Sequence, residues 1–309
     1  GAEGVVYFET MVNYADVTFR RYFRDPSLIL QINYDHDWIQ GEYEIGHTVW
    51  LTVEKPGQVY TTTLDTEYIP EWDRGGFISD RGEWFPERPN IEPEDLVRGR
   101  ASTGYTAEVV VGTITGWVDR DTDSIEGTVQ APWLEPLTPL LDVECHSWGA
   151  PEGTPNQWST AGPIGQPPYF CQWDPGTEWD IIGGEDLAVS YYEPDGHQVF
   201  AVFSAPWMRV NYGHDWVGGN YPEGVPFVIT VTESDEVTVK GIAEIVSTPD
   251  GGWGGPGFET QEHHWLGPVP DILPGDWVRF QTDGYDHLSL IHISEPTRLK
   301  TRSRMPSSA

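Results

Sequence analysis

The sequence predicts an all-β chain built from tandem antiparallel β-sandwich modules, Ig-like in the broad sense, in an alternating A-B-A array truncated at both ends. Three observations carry that prediction. Short β-branched or aromatic runs at 49–53, 107–113, 198–203 and 227–232 lie between clusters of Gly, Pro, Asp and Asn. No stretch of a dozen residues combines a helical apolar period with capping residues, which leaves room for helical turns only. One segment also occurs twice: Asn33-Tyr34-Asp35-His36-Asp37-Trp38 returns as Asn211-Tyr212-Gly213-His214-Asp215-Trp216. The register then holds through Tyr43/Tyr221, Gly46/Gly224 and Leu51-Thr52-Val53/Ile229-Thr230-Val231. It resumes at Phe77/Phe258, Trp84/Trp265 and 90–98/271–279. A module present twice, with turn signals at short intervals, is the pattern of a repeated sandwich.

Residues 1–28 read as the tail of a preceding module, because 5–23 followed by Asp25-Pro26 resembles 187–205 followed by Pro206. Residues 29–108 are the first outer module. Its closing strand follows Pro93-Glu94-Asp95, where proline presets φ and a glycine is expected in the left-handed position. Glu94 stands where the second copy has Gly275, and Arg98-Gly99-Arg100 replaces Arg279-Phe280-Gln281, so this strand is expected to be distorted. Residues 109–205 form a middle module of different sequence, whose ending at 179–189 echoes the closing segment of the outer modules. Residues 206–287 are the second outer module, cut short. Residues 288–309 turn abruptly basic and are not expected to be native protein. Residues 288–298 match the in-frame translation of a transposon-type sequencing adapter, and 303–309 match the flow-cell adapter that follows the index. Such a scar is left out of fold reasoning.

The chain has 309 residues with 49 Asp+Glu against 17 Lys+Arg, a formal net charge of -32, and it carries 34 Gly, 26 Pro and 15 Trp. That balance excludes a nucleic-acid binder working through a basic surface, since phosphate affinity comes from Lys and Arg releasing counterions. It argues equally against an anchor to anionic lipid. No apolar run approaches the roughly 20 residues that span a bilayer as a helix.

The segments N-Y-x-H-D-W, G-F-x-T with a following Trp, D-I-x-P-G-D-W-V, and V-E-C-H-S-W-G-A-P with Y-F-C-Q-W-D-P together resemble tandem β-modules of large secreted or cell-surface proteins of environmental bacteria. The resemblance spans nearly all of the native part. It implies an architecture and an extracellular or cell-surface location, and it transfers no catalytic residue.

Cys145 and Cys171 are the only two cysteines. A disulfide between them is expected to stabilise by about 3 kcal/mol and would fit an exported protein. Two cysteines with only His146 adjacent fall short of a zinc ligand set. Asp119, Asp121 and Asp123 place carboxylates at alternate positions, a spacing able to wrap oxygens round calcium. The same stretch also reads as a polar hairpin turn, and it lacks the central Gly and the position-12 Glu of an EF-hand loop. His36-Asp37 and His214-Asp215 recur in both outer copies, which fits a hydrogen-bonded scaffold better than a ligand pair, because neighbours along a strand face opposite sides. Trp133, Trp148, Trp173, Trp179 and Trp253 are candidate platforms on which sugar rings stack, against the alternative that small sandwiches spend Trp in the core. No G-x-S-x-G elbow, H-E-x-x-H helix motif or phosphate loop occurs, and 49 acids make paired carboxylates uninformative.

The expected function is therefore a non-catalytic extracellular repeat region: a stalk, an adhesin-like segment or a surface-layer spacer of a large secreted bacterial protein. Its expected partners are extracellular glycans or neighbouring surface proteins, with no nucleic acid, no membrane insertion and no cofactor other than calcium. Carbohydrate-binding accessory modules of a secreted hydrolase are the first alternative, and a glycoside hydrolase-type catalytic domain the second.

Overall fold

The computed structural model describes residues 27–174, 176, 178–251 and 255–282, together with the backbone of 291–292. Residues 1–26, Trp253 and most of 288–309 lie outside the described residues. The chain divides into two compact units, Gly1–Ser204 and Ala205–Ala309, and the helical content of the described residues is limited to short 3-10 turns.

The first unit begins with β1 (Ile29–Asn33), β2 (Trp38–Glu42), β3 (Thr48–Lys55), β4 (Gln58–Asp65), β5 (Glu67–Ile69), β6 (Arg74–Ile78), β7 (Leu96–Ala101) and β8 (Thr106–Val110). Alternation of β-branched and polar residues fixes which face each strand buries. In β3, Val49, Leu51 and Val53 point inward with no exposure, while Trp50 and Thr52 point out. The strands form one ladder in the order β1-β2-β6-β5 and another in the order β4-β3-β7-β8. Leu30, Ile32, Ile39 and Phe77 of the first ladder and Leu51, Val53 and Val97 of the second are buried as the core.

The closing strand is regular, contrary to the sequence expectation. β7 pairs without a shift with β3 and with β8. Glu94 itself takes the left-handed position at φ 75, as Gly275 does at φ 98 in the second copy, so the turn keeps its shape. Gly99 is a packing choice: a Cβ there would meet the Leu28 and Leu30 side chains at 3.1 Å. The second copy has Phe280 at that position, with Pro206 and Met208 in place of the two leucines, and Phe280 packs against Tyr221, Phe227 and Phe258. Holding a glutamate left-handed costs about 1 kcal/mol. Glu94→Gly is therefore expected to raise the unfolding free energy of the first unit by up to that amount, measured as a denaturant midpoint shift at constant m-value.

The middle module follows with β9 (Thr113–Ile114), β10 (Trp117–Asp119), β11 (Ser124–Gly127), β12 (Val129–Gln130), β13 (Leu141–His146), β14 (Gln157–Ala161), β15 (Tyr169–Gln172), β16 (Asp186–Tyr192) and β17 (Gln198–Ser204). Its ladders run β10-β11-β15 and β14-β13-β16-β17, with a short β12-β9 pair beside them. Apart from β5 and the β12-β9 pair, which have no counterparts, this is the order of the outer module, despite the different sequence. β17 then pairs in parallel with β1, through Gln31↔Gln198, Ile32↔Val199 and Asn33↔Phe200. That pairing joins the two modules in one eight-stranded sheet.

The second unit contains β18 (Trp207–Asn211), β19 (Trp216–Asn220), β20 (Pro226–Thr232), β21 (Val239–Val246), β22 (Gly257–Glu259), β23 (Trp277–Thr282) and β24 (Ile291–His292). Its sheets are β18-β19-β22 and β21-β20-β23-β24, again the same order. The core is aromatic, with Phe227 edge-on to Phe258 at 4.3 Å and to Phe280 at 5.5 Å. The two backbone pairs of β24 with β23, Trp277↔His292 and Val278↔Ile291, fall within residues read from sequence as adapter.

Candidate functional site

The residues that recur most conspicuously in the sequence converge on one structural device, present in all three modules. In the first, Asn33 Oδ1 accepts from the backbone N–H groups of Asp35 and His36 at 3.1 and 3.0 Å, shaping the turn after β1. Asp37 then adopts a left-handed φ of 54, and its Oδ1 accepts the Ile91 N–H at 2.7 Å. In the second outer module Asn211 Oδ1 accepts from Gly213 N–H at 3.1 Å, Asp215 sits at φ 56, and its Oδ1 accepts from Ile272 N–H at 2.8 Å.

The three spaced aspartates of the middle module turn out to be the same device. Asp119 Oδ1 accepts from Asp121 N–H at 2.9 Å, Asp123 sits at φ 49, and its Oδ1 accepts from Ile181 N–H at 2.8 Å. Burial, the largest influence on Asp123, pushes its carboxyl pKa up, against the pull of the Ile181 N–H. Among the described residues no group of three His, Cys, Asp or Glu side chains is gathered as a metal site.

A second device closes each module. Asp95 Oδ2 accepts from Glu92 N–H at 2.8 Å and Asp276 Oδ2 from Leu273 N–H at 2.7 Å. Lys55 and Lys240 reach these same oxygens at 2.9 and 2.6 Å. The middle module substitutes Glu185, whose Oε2 accepts from Ile182 N–H at 2.8 Å and from the Trp179 indole N–H at 3.1 Å.

Cys145 of β13 and Cys171 of β15 form a disulfide that ties the two sheets of the middle module together across its core. Trp173 and Trp179, expected among the platforms, belong to that core. They are 0% and 2% exposed and stand edge to face at 5.1 Å, so neither face is open to a ligand. Trp133 and Trp148 are exposed. Trp148 lies over Phe200 and stacks at 6.3 Å on His36, so it bridges the first two modules. Trp158, which sequence reasoning missed, is 60% exposed and stacks on Tyr192 at 5.6 Å. Its polar neighbours Gln157, Ser159 and Thr160 give no hydrophobic alternation from which its outward direction could be read.

The junction between the first two modules carries two buried titratable groups, Glu193 and His197. Leu30 N–H donates to His197 Nδ1 at 3.1 Å, and Val202 N–H donates to Asp35 Oδ2 at 2.6 Å. Between these end contacts Gln40 donates to Gln31 and Gln31 to Gln198, each at 2.7 Å. Burial lowers the pKa of His197, and Asp195 at 3.3 Å partly offsets this. Glu193, at the same turn, is 8% exposed and is pushed up to about 8 by burial, with Asp195 adding to the shift.

Strand order, disulfide and repeated corner together define a tandem β-sandwich repeat protein. No protein-family model matches the chain, and neither does any curated protein sequence. Among solved structures it is similar to a tetra-tandem repeat in the extending region of a large adhesion protein, at 13% identity and a TM-score of 0.21 over 83% of this chain and 70% of that one. It is also similar to the FN1–FN3 domains of chicken CNTN1, at 8% identity and a TM-score of 0.23 over 88% of this chain and 96% of that one. At these scores the fold stands on its own strand order and register.

Proposed function

We propose that the chain is a non-catalytic extracellular repeat region, serving as a stalk, adhesin-like segment or surface-layer spacer of a large secreted bacterial protein. One observation carries this reading: the most repeated polar residues, from Asn33/Asp37 to Asn211/Asp215, spend their hydrogen bonds on the backbone of their own module. Residues kept for scaffold in successive modules fit a protein whose work is length, stiffness and spacing. The net charge of -32 keeps neighbouring copies apart and soluble. Sequencing the whole gene tests this. Further modules with the same corner and closing turn are expected on either side, and a single compact catalytic domain without repeats would overturn it.

A second reading, carbohydrate-binding accessory modules, is favoured by the exposed faces of Trp148 and Trp158. It requires the full chain to retain ligand on a glycan array and to lose it in Trp158→Ala.

The aspartate loop acts as a turn in this account. Removing calcium with EDTA is expected to leave the thermal midpoint unchanged. Asp123→Ala strands the Ile181 N–H and is expected to cost about 1–3 kcal/mol. We read residues 288–309 as adapter-derived, supported by two adapter-like stretches in the right order. Ending the chain at His287 is then expected to leave the unfolding midpoints in place, since among the described residues it removes two strand pairs.

A further inference from the structure

The first outer module shows what its corner is built to receive. β1 has β2 on one side and β17 of the middle module on the other. With both edges filled, Ile32 and Asn33 are 0% exposed. Just beyond them the Tyr34 hydroxyl donates to Ile114 O and accepts from Ile114 N–H, both at 3.1 Å.

The second outer module repeats that corner with a different outcome. β18 is the equivalent strand, with Met208, Val210, Asn211 and Tyr212 at the places of Leu30, Ile32, Asn33 and Tyr34. Asn211 and Asp215 shape the turn as Asn33 and Asp37 do, save that Asn211 Oδ1 takes the Gly213 N–H alone. Among the described residues β18 is an edge strand that pairs with β19. Val210 and Asn211 are partly exposed, and Tyr212 is 43% exposed.

We propose that the outer edge of β18, with Asn211 and Tyr212, is the docking site for a further module of the middle type, whose closing strand adds in parallel as β17 adds to β1. The mode is strand addition: backbone groups supply affinity, and the residues flanking the edge supply register. Among the described residues no strand pairs with that outer edge, and an edge left so invites wrong partners, which an occupant of fixed register would exclude. Two differences tune the joint. Asp35, which takes the Val202 N–H, is replaced by Gly213, and Gln31, which bonds Gln198, is replaced by Arg209. This second joint therefore lacks one end contact of the first.

The inference takes its occupant from the array reading of the chain. The test extends the chain at Thr282, equivalent to Ala101, with a second copy of residues 102–204, which supplies a closing strand and then a middle-type module. Backbone hydrogen exchange is followed at Met208, the counterpart of Leu30, whose N–H points into the first junction. In the chain without the extension Met208 is expected to exchange at least tenfold faster than Leu30. In the extended chain it is expected to slow to the Leu30 rate, with the added cysteines inert to thiol reagents. The inference is overturned by equal rates before extension, by unchanged Met208 exchange beside a folded added module, or by an added module whose cysteines stay reactive. Failure of the array reading would show separately, as a gene without further modules.

Discussion

Trp173→Ala is expected to destabilise the first unit by about 3–5 kcal/mol, the largest effect of any single truncation considered, while Trp158→Ala moves the same midpoint by less than about 1 kcal/mol. Both residues are tryptophans of the middle module, and sequence alone gives no reason to separate them. Trp173 is 0% exposed, packs edge-on to Trp179, and donates its indole N–H to Pro155 O at 2.8 Å. Alanine there leaves a cavity in the core and removes the indole donor that Pro155 O accepts. Trp158 keeps most of its surface in water, so little burial is lost with it. Urea unfolding of the two variants with the disulfide intact checks the contrast. Equal losses would mean that the Trp158 ring is covered by protein.

The second large effect is a pH dependence centred on Glu193. Its pKa rises from 4.5 in the unfolded chain to about 8 in the folded one, because the carboxylate is buried beside Asp195. The folded state then holds a proton that the unfolded state has released, so the contribution is complete below pH 4.5 and is lost as pH climbs through the folded value. At 1.36 kcal/mol per pKa unit the loss by pH 9 approaches about 5 kcal/mol, an upper bound for a group that water reaches in part. His197 acts in the opposite direction. Its folded pKa lies below 6.5, so its contribution is present above that value and falls away on acidification. The Leu30 N–H contact has the same sign, since Nδ1 must be unprotonated to accept it. Glu193→Gln is expected to flatten the decline in first-unit stability between pH 5 and 9. His197→Gln, which keeps an acceptor, is expected to remove the loss below pH 6.5. Chemical unfolding across that range checks both, and a Glu193→Gln profile parallel to the parent's would contradict the assignment.

The strands were legible because their chemistry is local. The runs at 49–53 and 227–232 alternate as a half-buried strand must, and the duplicate register from Asn33 to Trp38 exposed the outer modules directly. Kinship of the middle module with the outer ones was legible only in its closing segment at 179–189. Asp119-Arg120-Asp121-Thr122-Asp123 matches Asn33-Tyr34-Asp35-His36-Asp37 at its polar first, third and last positions and departs at the two between, because the corner asks for an acceptor, three residues of turn and a left-handed aspartate. Alternating acids suggested a cation, and the corner role of the last of them, whose Oδ1 accepts the Ile181 N–H, carries no mark in the sequence. Glu94 misled in a similar way: a residue that disfavours the left-handed region adopts it when a regular ladder on both sides of β7 demands it. The destination of each Trp depended on parity within a strand and on loop path, neither of which composition carries. The join of β1 to β17 unites residues more than 160 positions apart through backbone pairing, and side-chain periodicity does not encode it.

The central claim is that the chain is a row of like modules, each folded round its own core. Pulling the full chain from end to end with a single-molecule force probe tests it most directly. Three separate ruptures are expected, one per module, each releasing on the order of 250–300 Å for roughly 80–90 residues at about 3.5 Å per residue. The middle increment is expected to be shorter by about 90 Å while the disulfide spans its 26 residues, and to regain that length in reductant. One cooperative rupture releasing the whole chain, with no increment that responds to reductant, would contradict the account.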